Sequence, residues 1–421
     1  MLTVLRQRNF ALLWWGGLIS MLGDWMLRIA LPAQVFAITG STLATGVMII
    51  AGMAPTLLVS SVAGVYVDRW DRQRTMVATN LLLAASVVPL SLVRGSDSLW
   101  IVYLVAVVQS TLSQLFGPAE HALLPLIVSR EHLTTANALN ALNNNLARLG
   151  GPALGGIVAA TIGLTGVALI DATTFVIAAL LISLVRTTGH APREARAAGM
   201  QHGALSMGSI WHAWVAGLKV VRRDRLLTLL FSMIALVGFG EGIVSVLFVP
   251  FVLVALDGQV LELGWLMSAQ AVGGLVGGLL IAQISHRISA ARLLGPSTLL
   301  FGLIDLVIFV SPLVVPSFSL QLVLFVLVGV PSAGFGASLT TLLQDQTSDA
   351  YRGRVFGAQT MTLALTGLCG MSLAAVLGDR VGIVPIISIQ GGVYCAAGVL
   401  AILWIRRPDA PAARPGTVDP R

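Results

Sequence analysis

The alternation of apolar and polar positions divides this chain into long apolar stretches joined by short polar turns. The stretches cover residues 10–38, 43–67, 75–94, 98–118, 136–161 and 166–185, then 226–255, 261–283, 293–313, 318–342, 355–378 and 383–405. At about 1.5 Å of helical rise per residue, each is long enough to cross a hydrocarbon layer about 30 Å thick. No water reaches the backbone there, so a spanning segment must bond its own amides, as a helix does. The pattern predicts an all-α membrane protein with twelve transmembrane helices. The longest polar stretch, residues 186–225, divides them six and six. Residues 1–185 are expected to form an N-terminal six-helix bundle, 186–225 a cytoplasmic linker, 226–405 a C-terminal bundle and 406–421 a cytoplasmic tail.

Composition agrees: 56% of the 421 residues are hydrophobic and only 10% are Asp, Glu, Lys or Arg. Of the 25 Lys and Arg, all but Arg28, Arg94, Arg148 and Arg380 fall in the N-terminus, the even-numbered connections or the tail. Basic connections stay in the cytoplasm, so both termini are expected inside, in a multi-pass protein of the cytoplasmic membrane. The net charge of +7 then reports topology, and no nucleic-acid partner is expected. The basic start at Arg6 and Arg8 imitates a signal peptide. The apolar run continues past Asp24 and Arg28 without a small-residue cleavage site, which predicts an uncleaved first span. Cys369 and Cys395 sit inside apolar runs, where a disulfide is not expected. The histidines form no H-x-H or H-x-x-x-H pair and the chain has no P-loop. Neither a metal, nor a cofactor, nor an enzymatic activity is expected, and ATP is not expected to drive the chain directly.

The two halves echo one another. Gly23-Asp24 is followed by Pro32, and Gly240-Glu241 by Pro250; Asp24 and Glu241 are 241 − 24 = 217 positions apart. Phe116-Gly117 with Leu123-Leu124 matches Phe335-Gly336 with Leu342-Leu343, at 335 − 116 = 219. Internal repeats of this kind mark transporters built from two similar bundles.

Residues 64–76, GVYVDRWDRQRTM, concentrate five charges between Asp68 and Arg74. Arginines pin such a turn to the cytoplasm, but they do not account for Asp68. The spacing G-x-x-x-D-R-x-x-R-x-R resembles the loop 2–3 motif of the major facilitator superfamily. The resemblance implies that Gly64, Asp68, Arg69, Arg72 and Arg74 form a latch between the halves on the cytoplasmic side. Asp71 stands where many members have glycine, and the corresponding loop 8–9 keeps Gly278 and Arg287 but has Ala282 in place of the acid. GPALGG, residues 151–156, resembles an element of the superfamily's antiporters, which implies a helix bend at Gly151, Pro152, Gly155 and Gly156. Plain helix packing explains the same glycines, as in GGLVGG at 273–278. The stretches RNFALLWWGGLISMLGDWMLRIALP, LLPLIVSREHLTTANALNALNNNLARLGGPALGG and YRGRVFG are similar to the enterobactin-exporter-like branch, which includes macrolide efflux proteins.

Charges within spans are costly unless they pair or face water, so each is a site candidate. Asp24 and Arg28, four apart on one helical face, could pair. Glu241 is the repeat partner of Asp24 and has no cation in its own span. The superfamily resemblance puts the first and seventh spans at the central cavity, which makes Glu241, Asp24 and Asp305 the proton-coupling candidates. Asp171 is expected to cap or anchor the outer end of the sixth span. Asn137, Asn140, Asn144 and Arg148 follow i, i+3, i+7, i+11, one helical face, with Arg148 the candidate anchor for a substrate group. Arg28, Gln109, Gln114 and Gln359 complete the candidate cavity, with Ser113, Thr362 and Thr366 beside them. Many drug–proton antiporters of the superfamily carry an arginine in the fourth span, and this chain has none there.

The expected function is export of a small amphipathic, drug-like or siderophore-like compound across the cytoplasmic membrane by alternating access, with proton antiport. A proton-coupled importer or facilitator of the same fold is the first alternative, and a membrane sensor or enzyme without transport the second. The expected partners are a small-molecule substrate, protons and the lipid bilayer, with the chain acting as a monomer.

Overall fold

The computed structural model describes residues 2–67, 70–186, 214–215, 217–219, 221–222 and 224–405. Among them the structure is helical and contains no strand. After a single turn at Leu2–Leu5 come α1 (Arg8–Thr39), α2 (Thr42–Val67), α3 (Arg72–Val87) and α4 (Leu99–Ile127). The helical stretch Leu133–Ser183 is broken at Gly163, whose φ of 75° lies in the left-handed region that glycine adopts without strain. Its two parts are α5 (133–162) and α6 (164–183). The second half holds α7 (Arg225–Pro250, continued by a π-turn over Phe251–Ala255), α8 (Val260–Ile284), α9 (Ala290–Val310), α10 (Phe318–Gln346), α11 (Asp349–Val381) and α12 (Ile383–Ile405).

Ten helical segments of the described chain are long and apolar enough to cross a membrane, with the broken stretch counted as one. Thr42–Thr56 is a shorter apolar helix. Leu279, Leu313 and Leu403 are more than half exposed on the outside of the bundle, as side chains facing acyl chains can be.

Local chemistry sets several boundaries. Asp71 caps α3, its carboxylate accepting the Arg74 N–H at 2.8 Å. That explains the acid found where the superfamily motif has glycine. α4 runs to Ile127, past the expected end at 118. Ala119, Leu123 and Leu124 are buried against Val4, Phe10 and Leu139, so the helix remains amphipathic after its purely apolar stretch ends. α11 likewise begins at Asp349, not near 355, and α3 gives way after Val87 to a 3₁₀ turn containing Pro89.

Small residues bring the helices together. α1 packs on α5 and α6: the Trp14 indole donates to the Leu139 carbonyl at 2.9 Å, and the Asn143 amide donates to the Trp14 carbonyl at 2.9 Å. α7 meets α11 where Gly242 faces the Gly367 backbone and Gly370 faces that of Phe239. The two halves touch through α5 and α8, with Gly156 against the Val260 and Leu261 carbonyls and Gly264 against that of Pro152. They also touch through α2 and α11, where Gly46 faces Ala375. Hydrogen bonds between the halves include those from Ser41 and Thr42 to Asp379, and from the Ser268 hydroxyl to the Leu149 carbonyl at 2.7 Å. The backbone stays helical through Pro152; the break lies at Gly163. The GPALGG glycines thus serve helix contacts in this structure, with Gly151 on Trp25 and Gly155 on Met26 as well.

Candidate functional site

Three cavities adjoin along α1. One, within the first half, is lined by Asp24, Asn80, Glu120, His121, Asn140 and Asn144 among others. The second shares Asp24 with it and adds Arg28, Pro32, Gln109 and Gln114. The third, of about 240 Å³, shares Arg28 and Pro32 with the second and lies against the other half, with Glu241, Phe248, Asp305 and Gln390 in its wall. Asp24, Arg28 and Pro32 recur at intervals of four, so a single face of α1 borders all three cavities.

Glu241 opens into the third cavity. Its Oε1 accepts the Tyr394 hydroxyl at 2.7 Å, and the Gln390 amide stands at 3.5 Å. Asp305 is 5% exposed beside it, and its Oδ2 has no hydrogen-bond partner. The arginines near Glu241 come from other helices: Arg28 shares the cavity wall, and Arg148 of α5 acts on it electrostatically. Arg28 makes no ion pair with Asp24; its guanidinium lies over the Trp25 ring at 5.2 Å. The i, i+4 pair expected from spacing is therefore not closed, although the two side chains border one cavity and the Arg28 charge acts on Asp24 electrostatically.

Asp171 departs furthest from expectation. It neither caps nor anchors an outer end: it lies in mid-α6, fully buried, against Gly23 of α1. The Thr174 hydroxyl stands 3.4 Å from Oδ1, and Oδ2 has no partner.

The polar face of α5 is divided. Asn137, Asn140 and Asn144 line the first cavity, where the Asn140 amide donates to Glu120 at 3.1 Å. Arg148 lies beyond, where α5 approaches α8, in a separate cavity with Asn145, Gln270 and Ser332. Gln109 is occupied with structure, donating to the Leu83 carbonyl at 3.1 Å and the Ser86 hydroxyl at 3.0 Å. Gln114 bonds Thr56 and the Ser110 carbonyl. Gln359 lines none of these four cavities. Thr362 accepts the Trp214 indole of the linker at 3.2 Å, and Thr366 packs on Gly238. At Thr362 and Thr366 the polar stripe of α11 thus meets Trp214 and Gly238. Of the latch, Asp68 and Arg69 lie outside the described residues and Gly64 falls in the last turns of α2. Arg72 bonds the Ala122 carbonyl of α4 at 2.9 Å, and the Arg74 amide meets Asp71.

Sequence reasoning missed Glu120, Gln390 and Tyr394. Glu120 fell beyond the assumed end of the fourth span. Gln390 and Tyr394 are neutral, and a search for intramembrane charges passes over them. The repeat could have found them, since 390 − 171 = 219 and 394 − 175 = 219 place them opposite Asp171 and Phe175.

A family model described as transmembrane secretion effector matches residues 1–412. The chain belongs to this family of the major facilitator superfamily. It is 30% identical to the multidrug efflux pump Tap of Mycobacterium tuberculosis over 382 residues, 87% of this chain and 86% of that protein. Macrolide efflux protein A of Streptococcus pyogenes is 25% identical, over 89% of this chain and 90% of its own length. Among solved structures, a bacterial homologue of the iron transporter ferroportin in an inward-facing state superposes with a TM-score of 0.76. The match covers 95% of this chain and 99% of that one at 17% identity, which shows a shared fold. A POT family transporter superposes with a TM-score of 0.69. The chain is a multi-pass membrane transporter, not an enzyme.

Proposed function

We propose that this transporter exports a small amphipathic compound across the cytoplasmic membrane by alternating access, coupled to proton antiport. Twelve spans in two six-helix bundles are counted if the stretch broken at Gly163 crosses twice and α2 crosses once. Both termini then lie in the cytoplasm, as the basic connections require, with the 186–225 linker on the same side. The relatives' names, a multidrug pump and a macrolide efflux protein, support efflux of an amphipathic substrate. In this reading the working unit is a monomer, each of the four cavities being lined by one chain.

The observation that carries the reading is Glu241. It is a carboxyl at membrane depth, open to a cavity between the halves and held by a tyrosine of its own half. A group so placed can exchange a proton with the cavity and cross the cycle neutral. Asp24 and Asp305 border the same system of cavities, and Arg28 and Arg148 flank it as counter-charges. In inverted vesicles, Glu241→Gln should abolish export driven by a pH gradient while leaving substrate binding and downhill exchange in place. If the variant pumps a macrolide or a cationic dye uphill as well as the parent does, Glu241 is not the proton carrier.

A further inference from the structure

The internal repeat extends to the surroundings of the two acids on α1 and α7. Gly23, which precedes Asp24, packs on Asp171 and Thr174 of α6. Gly240, which precedes Glu241, packs on Gln390 and Tyr394 of α12. The same glycine thus meets the same level of the sixth helix of each half, and Asp171 and Phe175 stand where Gln390 and Tyr394 stand in the other half. Their chemistry is different. Around Glu241 both positions carry donors: a hydroxyl at 2.7 Å and an amide at 3.5 Å. Around Asp24 one position is a phenyl ring and the other a second carboxyl.

Asp171 is 0% exposed, Phe175 is 1% exposed, and Asp171 Oδ2 has no partner. The carboxyls of Asp24 and Asp171 lie within electrostatic reach of each other. The charged groups around them are few. α1 supplies Asp24 and Arg28; α2 carries none between 42 and 67; α3 and its following turn carry none between Thr75 and Leu92; α4 brings Glu120 and His121 to the cavity wall; α5, packed on α1, carries Arg148, which lies in a separate cavity; and α6 has no other charge between 164 and 183. Arg28 lies over Trp25 and makes no close ion pair with Asp24, although its charge acts on Asp24 electrostatically. Buried Asp171 has only the Thr174 hydroxyl, 3.4 Å from Oδ1, as a donor, and a carboxylate with an unpartnered oxygen near a second carboxylate is unfavourable; a proton on Asp171 supplies the missing donor and removes the repulsion.

We propose that Asp171 and Asp24 form a second proton site, in the N-terminal half, in which a proton bound on Asp171 does the work that the Tyr394 hydroxyl and Gln390 amide do for Glu241. This deepens the antiport reading: the chain would load protons at two places, one in each half. Asp171 is sealed while Asp24 borders two cavities, so the proton enters and leaves through Asp24.

The site can be read without transport, which keeps its failure distinct from failure of the antiport reading. Infrared difference spectra of the purified, monodisperse protein at neutral pH report the carbonyl stretch of protonated carboxyls. Wild type minus Asp171→Asn should show one such band, because asparagine copies the donor of Gln390 and needs no proton. Phe175→Tyr supplies the hydroxyl that the other half possesses, and should diminish the band while leaving both acids in place. It also covers the case in which Asp171→Asn does not fold. Absence of the band from the wild-type difference spectrum, or an unchanged band in Phe175→Tyr, overturns the proposal. A protein that shows the band yet moves no protons with substrate retains the site and refutes antiport.

Discussion

Tyr394 is the most closely engaged residue of the candidate site. It is 1% exposed, packs against Phe301 at 4.7 Å between ring centroids, and donates to Glu241 at 2.7 Å. A hydrogen bond to a charged acceptor contributes about 1.5–3 kcal/mol. Tyr394→Phe keeps the packing and removes the bond, so proton-driven export should fall by about tenfold or more at about 1.4 kcal/mol per decade. Substrate affinity measured in detergent should be unchanged. Gly23 is constrained from the other side, because a methyl group there would overlap Asp171 and Thr174. Gly23→Ala should cost about 1–3 kcal/mol, the usual range for overpacking, seen as a lower melting temperature of the purified protein.

At the scale of elements, the start of α2 depends on the other half. Its first turn leaves amide hydrogens without helical acceptors. Asp379, near the end of α11, accepts the Thr42 N–H at 2.9 Å and the Ser41 hydroxyl at 2.9 Å, a helix cap provided across the interface between halves. A carboxylate at a helix N-terminus also meets the favourable end of the macrodipole. Asp379→Ala should loosen this end of the interface. The buried Thr45, made cysteine in a chain with Cys369 and Cys395 replaced by serine, should then react about tenfold more with an impermeant maleimide, given about 1.5–3 kcal/mol for a charge-assisted bond. Equal labelling with and without Asp379 would show that α2 and α11 hold together by packing alone.

For the whole molecule, the chain of cavities along α1 places Arg148 apart from the asparagines that share its face of α5. It lies between α5, α8 and α10, within electrostatic range of Glu241. An anchor for cargo and a counter-charge for Glu241 make different demands on it. Arg148→Ala should leave equilibrium binding of an uncharged substrate within about twofold and reduce pH-driven export much more, the pattern of a group that acts on the proton carrier. A loss of affinity equal to the loss of export would instead make Arg148 a cargo contact. In the folded chain the acidic and basic groups of the candidate site come from α1, α4, α5, α6, α7 and α9, so the site is a property of how both halves meet.

The sequence by itself determined the helices, the class and the repeat. An apolar stretch of spanning length must be helical in a bilayer whatever its neighbours do, and the Lys and Arg distribution acts on each connection separately. It also made Glu241, Asp24 and Asp305 legible as acids at membrane depth, since a charge in an apolar run is visible without a partner. Only the tertiary structure decided what those acids face. Arg28 lies over Trp25 without pairing closely with Asp24, Gln109 and Thr362 are occupied by contacts within the protein, Asp171 lies sealed against Gly23, and Tyr394 reaches Glu241 from 153 positions away. Spacing along one helix fixes which side chains share a face, but not what covers that face. That depends on where small residues such as Gly23, Gly156 and Gly264 let another helix approach.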